Sequence, residues 1–305
     1  MKVWLDLDQL LAAGEITPEQ HTRLTQLGKS PQSQTLVNIA IAFGVIATAA
    51  GALTWVQSIE LALFLGYGLT GLGIYLRRRS QETWHLLGIM LLLVGALMAA
   101  IATVIHFEGG IGFVIATALF FLTAILAQSH LMAICGTLSL ASLSGTATGY
   151  WFSSYYLIVE QPTISIVCFG LLAALIYGLR KWILEQWQAL SVTVARTSLL
   201  MVNFAFWVGS LWGDHLWREP RGSWWNFGWS SSPVIPGWGF GIIWAIALVA
   251  LMIWSQRQNQ LWILYLSLVF FTIHFYTQYF ERFQFSPLSL LFGGLLALSG
   301  AFGWR

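Results

Sequence analysis

Two hydrophobic patterns divide this chain. Residues 1–35 alternate apolar and polar positions at helical spacing, whereas from Leu36 onward apolar blocks of membrane-spanning length follow one another with short polar breaks. In the leading segment Trp4, Leu5, Leu7, Leu10 and Leu11 form a stripe at the period of a helix, and Gly14 is placed to end it. Thr17 then suits an N-cap, Pro18 the first helical position and Gln20 the returning side chain of a capping box. Gly28 stops this second helix before the polar stretch Ser30-Pro31-Gln32-Ser33-Gln34. A hairpin this small does not bury enough surface to be stable alone. It is expected to pack loosely on itself, on the membrane surface, or on a cytoplasmic protein partner met through residues 4–28.

A membrane helix needs about 20 apolar residues. Ten segments qualify: 36–56, 59–76, 84–105, 111–127, 131–151, 162–179, 191–213, 238–255, 261–280 and 287–304. The expected fold is an all-α polytopic transmembrane bundle of about ten helices over residues 36–305, behind a cytoplasmic hairpin and linker at 1–35. Small residues recur at close-packing intervals within these segments. Ala141, Gly145 and Gly149 make one such row, Ala40, Gly44 and Thr48 another, and Gly66, Gly68, Gly71 and Gly73 crowd a third helix. In lipid, small residues let backbones approach, so the expectation is packing inside the bundle or a homo-oligomer seam. Gly293 and Gly294 in the last helix are read the same way.

Composition supports the lipid environment. Apolar residues make up 57% of the 305 positions and charged residues 9%, where a soluble domain carries about a quarter charged. The net charge of +2 shows no concentration of basic residues of the kind nucleic acid demands. Cys135 and Cys168 lie in apolar runs and read as small hydrophobes. The first apolar block begins behind Asp6, Asp8, Glu15 and Glu19 rather than behind a basic start, so it is expected to remain as a membrane helix.

The basic residues give the bundle a sidedness. With the N-terminus inside, ten fall on the cytoplasmic side (Lys2, Arg23, Lys29, Arg77, Arg78, Arg79, Arg180, Lys181, Arg257 and Arg305), and three, Arg218, Arg221 and Arg282, fall opposite. The positive-inside rule then predicts both termini in the cytoplasm.

The segment Leu10-Leu11-Ala12-Ala13-Gly14-Glu15-Ile16-Thr17-Pro18-Glu19-Gln20, followed by a polar linker and a Gly-rich helix ending near Trp55, carries a family resemblance. So does the closing pattern Tyr279-Phe280-Glu281-Arg282, Ser289-Leu290 and Gly293-Gly294-Leu295. Together they resemble the bacterial membrane proteins grouped as domain of unknown function 2157. The resemblance implies a helical hairpin ahead of a multi-helix bundle in a bacterial inner membrane. It supplies no activity, no cofactor and no catalytic residue.

Polar groups inside a bilayer are costly and mark packing or function. Arg196 and Asn203 lie two turns apart on one helix, and His274 sits in another. Arg196 has a stem long enough to reach the interface, and imidazole titrates near neutrality, which suits a proton-coupled step. These three are the candidate intramembrane pathway. On the outer side gather Glu60, His106, Glu108, Asp214, His215, Glu219, Glu281 and Arg282, without the repeated spacing of a zinc site. A Trp-rich loop near 214–237, flanked by Trp207, Trp212 and Trp238, holds Trp217, Trp224, Trp225 and Trp229. With Arg218, Arg221, Asp214 and His215 it forms the candidate external surface site, either an interfacial belt or a platform for a lipid, sugar or protein. No phosphate-binding loop, nucleophile elbow or His-Glu-x-x-His helix occurs. The reading is a non-enzymatic membrane scaffold or accessory component; the alternative is a small-solute transporter with its path at Arg196, Asn203 and His274.

Overall fold

The computed structural model describes residues 7–27, 31–56, 58–79, 82–107, 110–151, 154–215, 234–283 and 286–303. The chain divides into two compact units, Met1–Ala102 and Thr103–Arg305.

The first unit opens with the expected hairpin, α1 (Leu7–Ala12) and α2 (Pro18–Leu27). Gly14 takes φ of +71°, the left-handed region that lacks a steric penalty only for glycine. This lets Gly14 N donate to Leu11 O and Glu15 N to Leu10 O, the paired bonds that close a helix C-terminus. The capping box is formed in both directions: Thr17 N donates to Gln20 Oε1 (2.9 Å) and Gln20 N to Thr17 Oγ1 (3.2 Å). His21 Nε2 lies 2.9 Å from Asp8 Oδ1 and ties the two helices together. Helix α3 (Pro31–Val56) begins inside the stretch read as a linker, because Pro31 is well suited to a first helical turn that needs no N–H donor.

Helix α4 (Ile59–Arg79) and α5 (Glu82–His106) up to Ala102 complete this unit. They meet along glycines. A Cβ on Gly66 would stand 2.5 Å from Ala99 N, one on Gly73 2.6 Å from Leu92 N, and one on Gly95 2.6 Å from Thr70 N. The two backbones therefore touch directly, with Ala62, Met98 and Ala102 buried beside them. Gly68 and Gly71 face open space, as does Gly44 of the Ala40–Gly44–Thr48 row, so only part of the small-residue pattern serves packing within the unit.

The second unit holds α6 (Gly110–Ala127), α7 (His130–Ser142), α8 (Pro162–Leu179), α9 (Glu185–Trp212), α10 (Gly237–Arg257), α11 (Leu261–Phe283) and α12 (Pro287–Gly303). Helix α9 is its axis and packs against α7, α8, α10 and α11. The segment expected as a single helix over 131–151 is not one. Helix α7 ends at Ser142, and an antiparallel hairpin follows, β1 (Thr146–Trp151) and β2 (Ser154–Val159), paired from Thr146–Val159 to Trp151–Ser154. Three physical causes end the helix. The amides of Leu143, Ser144 and Gly145 shift to partners three residues back, Ser144 Oγ bonds Ala141 O, and Gly145 turns into the left-handed region at φ +72°. The residues beyond (Thr146, Thr148, Tyr150, Trp151) are β-branched or aromatic and favour a strand. Gly145 and Gly149 thus belong to a turn and a strand, not to a helix-packing row.

Small and hydroxyl residues such as Thr70, Thr103, Thr137, Ser165, Ser198 and Ser267 are buried beside large apolar ones such as Leu92, Phe169 and Trp244, while many large apolar side chains, among them Phe64, Ile111, Ile246 and Tyr265, stand outward as lipid contact requires. Among the described residues seven helices, Ile59–Arg79, Leu86–His106, Gly110–Ala127, Pro162–Leu179, Glu185–Trp212, Gly237–Arg257 and Leu261–Glu281, are long and apolar enough to cross a membrane. This is a helical bundle built for lipid. Each of the ten apolar blocks carries a helix, but α7, with 13 residues, spans only about 20 Å at 1.5 Å per residue, short of the hydrocarbon core.

Candidate functional site: a polar core between two aromatic belts

Helix α9 aims one face, built from Arg196, Asn203 and Trp207 at intervals of seven and four, toward α10 and α11. Asn203 is buried, and both ends of its amide are used. Nδ2 donates to Leu199 O at 2.8 Å, and Oδ1 accepts from the indole Nε1 of Trp244 at 2.9 Å. Trp244 of α10, 1% exposed, lies parallel to Phe206 with centroids 6.4 Å apart and presents an edge-to-face contact to His274 at 4.9 Å. His274 is buried, and its Nδ1 has no hydrogen-bond partner among the described residues. One turn along, Trp207 Nε1 donates to Thr277 Oγ1 at 3.1 Å.

Of the three residues expected to share a pathway, Asn203 and His274 are thus linked through one indole. Arg196 stands apart. It is exposed, with its guanidinium carbon 5.0 Å from the centre of the Trp262 ring. Trp262 lies in the first turn of α11, so Arg196, although well inside its own helix, is level with the end of its neighbour. A long cationic side chain resting on an interfacial tryptophan is the arrangement expected of a snorkelling arginine.

At this end of the second unit α8 and α10 finish and α9 and α11 begin. Tyr177 lies between Trp254 and Trp262, with ring centres 6.2 and 5.9 Å away, and Arg180 caps its ring at 3.7 Å. At the opposite end, exposed Trp212 and Trp238 stand at the end of α9 and the start of α10. Trp238 and Trp254 bracket sixteen steps of α10, about 24 Å, close to the thickness of the hydrocarbon layer. The second unit therefore carries an aromatic belt at each end.

The outer surface site needs correction at Asp214. This residue is 1% exposed rather than presented to solvent. Its Oδ2 accepts from Thr163 N at 2.8 Å in the first turn of α8, whose own N-cap residue, Gln161, makes no side-chain capping bond. Backbone bonds between Asp214 and Ile235 (2.9 and 3.0 Å) clamp the base of the loop. Asp214 looked like a loop residue because its partner lies far off in sequence; it acts as the N-cap of α8 supplied from another element. His215 is half-buried beside it. Arg218, Arg221, Trp224, Trp225 and Trp229 lie outside the described residues. Among the described residues no three His, Cys, Asp or Glu side chains converge on a point that could hold a metal ion.

The sequence reading did not single out Trp244, Thr277, Tyr177, Trp254 or Trp262. Each is one aromatic or hydroxyl residue in an apolar run, and only the crossing of helices reveals its partner.

The geometry defines the class: a helical membrane protein whose buried polar groups bind helix to helix. No family model matches the chain, and no curated protein or solved structure matches it either.

Proposed function

We propose that this chain is a non-enzymatic, multi-pass scaffold or accessory component of a bacterial inner membrane, with both termini in the cytoplasm. Its N-terminal hairpin docks a cytoplasmic protein. The observation that carries this reading is the engagement of Asn203: an amide that could have lined a path for solute spends both its ends on Leu199 and Trp244. The resemblance to the domain of unknown function 2157 proteins accords with it, through the capped turn from Gly14 to Gln20. A photo-cross-linking residue placed at Leu10 or Leu11 in native membranes is expected to give one discrete adduct. Gly14→Val, which forces a β-branched residue into the left-handed turn, should abolish it. Labelling no higher than that of a cross-linker on the lipid face at Phe64 would sink the docking reading.

One observation favours transport as a second reading. His274 Nδ1 is buried without a partner among the described residues, and a histidine so placed can pass a proton. Proton flux into proteoliposomes that falls on His274→Ala would support it; flux equal to that of protein-free vesicles would eliminate it.

A further inference from the structure

Along the segments that meet at the Tyr177 end of the second unit, residues 177–187 and 254–262, stand Arg180, Lys181 and Arg257 against the single carboxylate of Glu185, and Arg196 joins them from within α9. Neither Arg180 nor Arg196 has a carboxylate within ion-pair distance among the described residues; each rests instead on a ring, Arg180 on Tyr177 and Arg196 on Trp262. Those two rings are themselves in edge contact. The guanidinium of Arg180 is further held by a bond from its Nη1 to Tyr177 O at 3.1 Å. Beneath it the Tyr177 hydroxyl is buried and, among the described residues, has no hydrogen-bond partner.

We propose that Arg180 and Arg196, held on the linked rings of Tyr177 and Trp262, form a site for the phosphate group of an anionic phospholipid in the adjoining leaflet. The charge is complementary, and the planar fork of arginine matches a phosphodiester. Contact with the rings also restricts both guanidinium groups in advance of binding. The depth fits as well, since an aromatic belt sits where headgroups lie. A soluble anion would have no need of Arg196 at the level of this aromatic belt, where its exposed side chain rests on Trp262.

The test uses the full chain in nanodiscs containing equal phosphatidylglycerol and phosphatidylcholine, followed by stepwise delipidation and native mass spectrometry. The wild type is expected to retain phosphatidylglycerol preferentially. Arg180→Gln with Arg196→Gln should lower that preference on the order of tenfold, the scale set by two surface charges acting on one anionic lipid. Arg180→Lys with Arg196→Lys keeps the charge but loses the fork, and should fall between them. Unchanged preference in the Gln pair overturns the proposal, as does an equal loss on Arg79→Gln, an arginine of the other unit. Displacement of the retained lipid by millimolar inorganic phosphate would overturn it too, by making the ligand a soluble anion. If the Gln pair loses its helical circular dichroism, the Lys pair decides alone: wild-type retention overturns the proposal and reduced retention supports it.

Discussion

The seam between α4 and α5 and the core around α9, α10 and α11 solve the same problem in opposite ways. In lipid, apolar surface gains little by leaving its surroundings, so helices need another reason to meet. The α4–α5 seam removes side chains until backbones touch at Gly66, Gly73 and Gly95. The α9–α11 core inserts the largest side chain available and fastens it with a hydrogen bond, Trp244 to Asn203. The first depends on shape alone and tolerates no addition. The second depends on a filled volume and tolerates no deletion.

Five substitutions sharpen that contrast, each read as a change in unfolding free energy of the detergent-solubilised protein. Trp244→Ala should cost most, about 3–5 kcal/mol, by opening a cavity and orphaning Asn203 Oδ1. Gly66→Ala should cost about 1–3 kcal/mol, because the atoms it meets are the Ala99 backbone and cannot swing aside. Gly44→Ala, whose methyl meets nothing, should be neutral or slightly stabilising; equal losses at the two glycines would show that helix propensity, not contact, governs the seam. Asn203→Leu should lose about 1 kcal/mol, and a double-mutant cycle with Trp244→Phe should recover a coupling of about 0.6–1.7 kcal/mol. Trp207→Phe removes the bond to Thr277 while keeping an aromatic ring beside Phe204, and should be the mildest loss, about 0.6 kcal/mol. A cycle showing no coupling between Asn203 and Trp244 would reduce the second solution to shape, like the first.

Features written in short stretches of sequence were legible there. Gly14, Thr17 and Gln20 form the predicted turn and box because every partner lies within a few residues. The apolar blocks became helices because length and hydropathy suffice in a medium that cannot satisfy an open backbone. The β1–β2 hairpin was misread because Leu140, Leu143, Tyr150 and Trp151 satisfy hydropathy equally well in a helix or a strand. Gly145 and the hydroxyl residues decided between them. The site was half legible. Asn203 and His274 announced themselves as polar groups in apolar helices, but Trp244, which joins them, resembles every other tryptophan in the chain. Arg196 was placed by the level of Trp262, which follows from how α9 and α11 are staggered and not from either helix alone.

Asp214 closes the first turn of α8 from 51 residues downstream. Translation adds about 5–20 residues per second, so the α8 amides wait roughly 3–10 seconds after synthesis for their acceptor. During that interval α8 is an uncapped helix with a free end, open to whatever else at the membrane can offer a carboxylate. The base of the Trp-rich loop therefore ties the start of α8 to the end of α9, and that tie can form only after Asp214 has been synthesised. Asp214→Asn, which keeps the shape but weakens the acceptor, should lengthen the period in which nascent α8 is accessible to a membrane-side thiol probe at Thr163→Cys. Accessibility that ends at the same chain length in both proteins would remove the tie from the assembly path.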